Sequence, residues 1–151
     1  MASDSLVPEA AAIVLQSTAF DAPLAAELFL IGRVLFGGVL AFNGLNHFLD
    51  ADGMTQYADS KGVPRPRGAV LFTGGMLLFG GLGTVLGVAP ILSVGALATF
   101  LLVATPIMHD FWKVPQGQQE RELVHFMKNT TLLGATLLLL ALGSVAWPYA
   151  L

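Results

Sequence analysis

Four stretches of the chain, about 24–45, 69–88, 91–108 and 129–147, are apolar enough and long enough to cross a bilayer. Each approaches the roughly 20 residues that about 30 Å of hydrocarbon requires at 1.5 Å of rise per residue. An open strand cannot satisfy its backbone in lipid, so all four are predicted to be helices. Polar loops separate the first span from the second and the third from the fourth, and a tight Ala89-Pro90 turn joins the middle two. Ahead of the spans, residues 1–23 carry Asp4, Glu9 and Asp21 but no Lys or Arg, so they lack the basic start of a secretory signal and read as a retained tail or interfacial segment. Within it Ala10–Leu15 is apolar but too short to cross.

Composition agrees with this reading. Hydrophobic residues make up 55% of the chain and charged residues 11%, and the mean hydropathy is +0.74, values a water-soluble surface of this size does not tolerate. The 151 residues hold one domain, 24–151, with no room for a second catalytic unit. The absence of cysteine excludes disulfides, thiolate metal ligands and an iron–sulfur cluster held by this chain alone. A net charge of −3 without a basic cluster argues against nucleic acid as a partner. Lys61, Arg65 and Arg67 lie in the first polar loop and Lys113, Arg121 and Lys128 in the second. The positive-inside rule therefore puts both loops in the cytoplasm and both termini outside, as a multi-pass protein of the cell membrane. The fold class is an all-α integral membrane four-helix bundle. Asn46-His47-Phe48 and His109-Asp110-Phe111 close the first and third spans in the same way, which suggests two repeated helical hairpins.

The glycines predict close packing, because small residues let helices approach where lipid removes the hydrophobic drive. The second span carries Gly74, Gly75, Gly80, Gly81, Gly83 and Gly87, with the last two at GxxxG spacing, and Gly95 and Thr99 suggest the same for the third span. Pro106 is expected to bend that span just before His109. Arg33 lies about 12 Å into the first span, where an ionised side chain needs protein, water or a route to the interface. Gly37, Gly44 and His47 share its helical stripe, so this face is predicted to turn inward, with Thr84, Thr99, Ser144 and Glu27 as candidate neighbours.

The remaining candidate chemistry gathers at the cytoplasmic end: His47, His109 and Asp110, then His125, Lys128 and Asn129. Asn43 with His47, and His125 with Asn129, stand four apart on one helical face. Three imidazoles and a carboxylate can in principle ligate a metal, and two can clamp a haem, but no tight His-x-x-x-His or His-Glu-x-x-His spacing supports a metal site. A quinone head group needs only donors near the interface, which histidine and asparagine supply. The bland alternative is that these groups cap helix ends and meet lipid head groups beside Trp112.

Arg33-Val-Leu-Phe-Gly-Gly, Asn43-Gly-Leu-Asn-His-Phe48, Gly62-Val-Pro64, Gly74-Gly75-Met-Leu-Leu, Met108-His-Asp-Phe-Trp112 and His125-Phe-Met-Lys-Asn129 follow one another in an order and spacing that resemble the DoxX family of small four-helix membrane proteins. The resemblance covers about Ala25–Gly143. It implies that Arg33, His47, His109, Asp110, Phe111, Trp112, Lys128 and Asn129 occupy the recurring polar and aromatic positions. It also implies a membrane subunit, in some relatives part of a thiosulfate:quinone oxidoreductase, in others associated with superoxide dismutase and a sulfurtransferase. A broader relative class includes a cargo receptor of the early secretory pathway. Many relatives carry a carboxylate early in the second span, whereas Ala69–Gly75 contains none, so Arg33 must find another partner.

The expectation is a quinone-facing membrane subunit with Arg33, Asn43, His47, His109, Asp110, Trp112, His125 and Asn129 around the site, a soluble redox enzyme as cytoplasmic partner, and homo-oligomerisation of so small a unit. The alternatives are a scaffold that docks a partner through 50–67 and 113–128, or a small transporter. The uncharged second and third spans and the lack of a broken helix disfavour the transporter.

Overall fold

The computed structural model describes residues 19–151, and these contain helices and no strands. The helices are α1 Ala25–Leu49, α2 Ala51–Ser60, α3 Pro66–Leu86, α4 Pro90–Met108 and α5 Gln116–Ala141. All but α2 are long and apolar enough to span a membrane. The expected tail at 1–23 lies outside the described residues except for its last few. Of these, Phe20 packs its ring against Phe29 of α1, with centroids 4.8 Å apart.

Local chemistry sets the boundaries. Pro66 and Pro90 occupy the first helical positions of α3 and α4, where a missing N–H costs nothing. Gly87 ends α3 at φ 72, a left-handed turn that returns the cap N–H to the Gly83 carbonyl and lets the chain restart at Pro90. Two expectations are corrected. The polar loop after the first span contains α2, capped by Asp50, whose side chain accepts from the Gly53 N–H. The helix that carries the fourth apolar run starts earlier and ends sooner than 129–147: α5 begins at Gln116 and ends at Ala141. Its first three turns are polar but helix-favouring, so hydropathy alone hides them. Beyond it, residues 142–151 run through turns back over the bundle, where the Leu151 N–H donates to the Leu86 carbonyl.

The α2 segment and the α4–α5 connection lie together at one end of the bundle, the loop end; the Ala89 turn and residues 142–151 lie at the other, the terminal end. Contacts run α1 to α3, α3 to α4 and α4 to α5, with α2 lying mainly against α3. The closest seam joins α1 to α3, where Gly37 opposes Gly81 and Gly44 opposes Gly74. A Cβ on Gly81 would stand 2.5 Å from the Gly37 carbonyl oxygen and 2.6 Å from the Ala41 nitrogen, so the backbones touch. The Gly83–Gly87 reading holds in part: Gly83 closely meets Ser93 of the neighbouring α4, while Gly87 serves as a cap beside Ala150. Gly95 faces open space rather than a helix. Leu40, Leu77 and Leu97 form the core with Phe36 and Phe100. Only Glu122 and Thr136 of α5 are buried, against Val70, Gly74, Leu77, Gly80, Gly81 and Thr84 of α3, so α3 is central and α5 peripheral. Phe79, Leu92 and Leu138 are more than 70% exposed around the girth, which a bilayer covers and water would not.

Candidate functional site

Polar chemistry is divided between the two ends. At the terminal end Arg33 is fully buried, so its face turns inward as predicted and the side chain does not take the route to the interface. Its Nη2 donates to the Val85 carbonyl at 2.8 Å and its Nη1 to the Pro148 carbonyl at 2.8 Å, with Tyr149 O at 3.4 Å from Nη2. The guanidinium carbon lies 5.7 Å from the Phe29 ring centre and 5.4 Å from that of Trp147. Val85 lies in the last turn of α3, where carbonyls lack helical partners and the helix dipole is negative. Gly87, at the adjoining cap, leaves room for Nη1. Among the described residues Arg33 has hydrogen bonds to carbonyls and no ion pair. The candidate neighbour Glu27 acts at one remove, accepting from the Tyr149 hydroxyl at 3.2 Å; Thr84 turns its hydroxyl to the Gly80 carbonyl of its own helix.

At the loop end a linked set of charges ties the connections together. Lys61 Nζ donates to Asp110 Oδ1 at 2.7 Å, and Lys113 stands 3.9 Å from Oδ2. The hydrogen bond from Lys61 holds the Asp110 carboxyl below the usual carboxylate range, outweighing its partial desolvation. His109 Nδ1 bonds Glu122 Oε2 at 3.0 Å. The His109 and His125 rings stack at 5.2 Å and 20°, and Lys128 Nζ lies 3.5 Å from His125 Nδ1. Phe111, Trp112 and Phe126 form a cluster of edge-to-face rings beside them. Among the described residues no three His, Asp or Glu side chains gather as metal ligands.

His47 stands apart from that set. Its Nδ1 lies 2.9 Å from the Asn43 backbone carbonyl, so Nδ1 carries the proton and Nε2 is the free nitrogen of the neutral ring. Gly74 is what admits it against α3, since a Cβ there would come within 2.7 Å of the His47 Cβ. His47 also meets the Phe100 ring edge-on and borders a cavity of about 400 Å³. Met54, Tyr57 and Ala58 of α2 line one side; Met76 of α3 and Phe100 and Met108 of α4 face them. Thr73 and Thr99 line it as well but turn their hydroxyls to the Ala69 and Gly95 carbonyls, leaving the walls apolar. His47 and Tyr57 are its other polar side chains. The Tyr57 hydroxyl donates to the Met108 carbonyl at 3.1 Å, and burial pushes this phenol up.

The eight expected site residues therefore do not surround one point. Arg33 lies fourteen residues from His47 along α1, about 21 Å at the helical rise. Asn43 and His47 stand four apart on α1, where Asn43 is exposed and offers its backbone carbonyl to His47, and on α5 His125 stacks on His109 while Asn129 is half-buried. Asp110 and Trp112 join the loop-end set. Tyr57, Lys61 and Glu122 were missed, although Met54, Tyr57 and Ala58 carry an amphipathic i, i+3, i+4 signal. Comparison with known proteins gives a match of the DoxX family model to residues 28–110, more than half the chain. No curated protein and no solved structure gives a significant match.

Proposed function

The chain belongs to the DoxX family, and on that premise we propose that it is the cell-membrane subunit of a quinone-linked oxidoreductase complex, taking the quinone into the cavity beside His47. The observation that carries this reading is the cavity itself. Its volume of about 400 Å³ falls in the range of small-molecule sites, and such sites are apolar with a few orienting polar groups. A bound quinone supplies two-electron, two-proton redox chemistry. The cysteine-free chain supplies no thiol or thiolate-held cluster, so the electrons come from a soluble partner docked at the loop end.

His47 has the chemistry to serve the head group. With Nδ1 held by the Asn43 carbonyl, its Nε2 accepts a proton in the neutral ring and donates one in the protonated ring. The apolar walls would limit water around a bound head group, and Phe100 meets the imidazole edge-on. Arg33 has no part in this site: it joins α1, the end of α3 and the C-terminal segment. By the positive-inside rule the loop end faces the cytoplasm.

Gentle extraction from native membranes, followed by mass spectrometry of every retained protein and small molecule, tests the reading. A bound quinone together with a soluble oxidoreductase is expected, and His47→Ala is expected to lower the quinone content about tenfold, the equivalent of one lost hydrogen bond of about 1.4 kcal/mol. Recovery of the protein with neither would overturn it in favour of a scaffold.

A further inference from the structure

The α2 helix forms the loop-end wall of the cavity beside His47. It starts at a break after Leu49, where Asp50 takes φ −120 and ψ 47, and is followed by Gly62 at φ 74. These two interruptions set its axis apart from those of α1 and α3. Its underside, Met54, Tyr57 and Ala58, lines the cavity, while Asp52, Asp59 and Ser60 face out.

Side chains fasten it to the end of α4. The Tyr57 hydroxyl donates to the Met108 carbonyl at 3.1 Å, and Lys61 donates to Asp110 at 2.7 Å. Lys61 also lies over the Tyr57 ring, 5.8 Å from its centre, so the two fastenings support each other. The Lys61 and Asp110 side chains are only 13% and 14% exposed. The other ion pair of α2, Asp52 with Arg67, is 82% and 65% exposed and screened by water. Met108 and Tyr57 are both cavity residues, so the fastening lies on the cavity's own rim.

The flank of the cavity at Phe72, Val103 and Ile107 is exposed on the lipid-facing side of α3 and α4, and we propose that α2 is the gate of the cavity's loop end, held shut by a latch made of Tyr57 with the Met108 carbonyl and Lys61 with Asp110. Release of the latch opens the cavity at the loop end, giving an amphipathic ligand a path from the membrane interface past His47. The nature of that ligand rests on the quinone reading; the gate does not.

The cysteine-free chain makes the test direct. Thr73→Cys places a single thiol on the cavity wall, and its rate of modification by a charged, membrane-impermeant methanethiosulfonate is measured in lipid nanodiscs. The rate is expected to rise at least tenfold when Tyr57→Phe or Lys61→Met is added, and to return toward the parent value when Lys61→Asp is combined with Asp110→Lys. A cysteine at exposed Gly117, measured in each background, should react equally fast throughout and checks that the fold persists. Tyr57→Phe removes one hydroxyl only, which keeps the test decisive if Lys61→Met does not fold. Rates unaffected by the latch, or a parent Thr73→Cys rate already equal to that of Gly117→Cys, would overturn the gate. Quinone is assayed separately on the same samples. Latch-dependent rates without bound quinone would retain the gate and remove the quinone reading; bound quinone with latch-independent rates would do the reverse.

Discussion

Arg33 occupies a depth where a cation is costly, and three backbone carbonyls with two aromatic faces compensate it in place of a carboxylate. Carbonyls carry no residue-type signature. The sequence therefore shows that Arg33 needs a partner and which way it faces, but not that Val85, Pro148 and Tyr149 supply the partner. The same limit hides the pairing of His109 with Glu122, which lies across a connection with no fixed spacing. Arg33→Met removes bonds each worth about 1.5–3 kcal/mol for a charged donor. It is expected to release residues 145–151, read as at least tenfold faster amide exchange there, while bound quinone stays unchanged. A segment as protected as before would contradict this role, as would loss of quinone from a variant whose segment remains ordered.

At the scale of the helix, the seam between α1 and α3 fixes the rest. Gly37 and Gly44 on one side, Gly81 and Gly74 on the other, stand seven residues apart, so each pair meets once per two turns of an antiparallel contact. Sequence reading located the glycine-rich second span as central, but of its GxxxG pair only Gly83 meets a neighbouring helix and Gly87 is a cap, because the spacing does not distinguish a seam from a helix cap. Gly74 and Gly75 show the difference: the first touches His47 and the second touches nothing within 4 Å. Gly81→Leu is expected to separate α1 from α3 and cost about 3 kcal/mol or more, since the obstructing atoms are backbone. Gly75→Leu is expected to be tolerated. Comparing the thermal stability of the two variants in detergent checks this, and equal stability would show that the seam is looser than described.

For the whole molecule, four spans were legible because lipid imposes a long apolar run on each crossing. The α2 helix and the first turns of α5 were not, since a polar helix at the interface resembles a loop to any hydropathy reading. Those two unread elements complete the loop end: α2 covers the cavity, and the start of α5 brings Glu122 to His109. Both hairpins end their first helix in a histidine, but only the first connection holds a helix, and only the first seam is glycine-lined; that asymmetry puts the cavity on the α2 side of the bundle. The claim that this cavity receives a quinone is tested most directly by photolabelling the protein in nanodiscs with a photoreactive quinone analogue and mapping the modified residues. Label on Met54, Tyr57, Met76, Phe100 or Met108, displaced by excess unlabelled quinone and reduced by His47→Ala, is the predicted result. Label spread over lipid-facing Phe42, Phe79 and Leu138, without displacement, would contradict it.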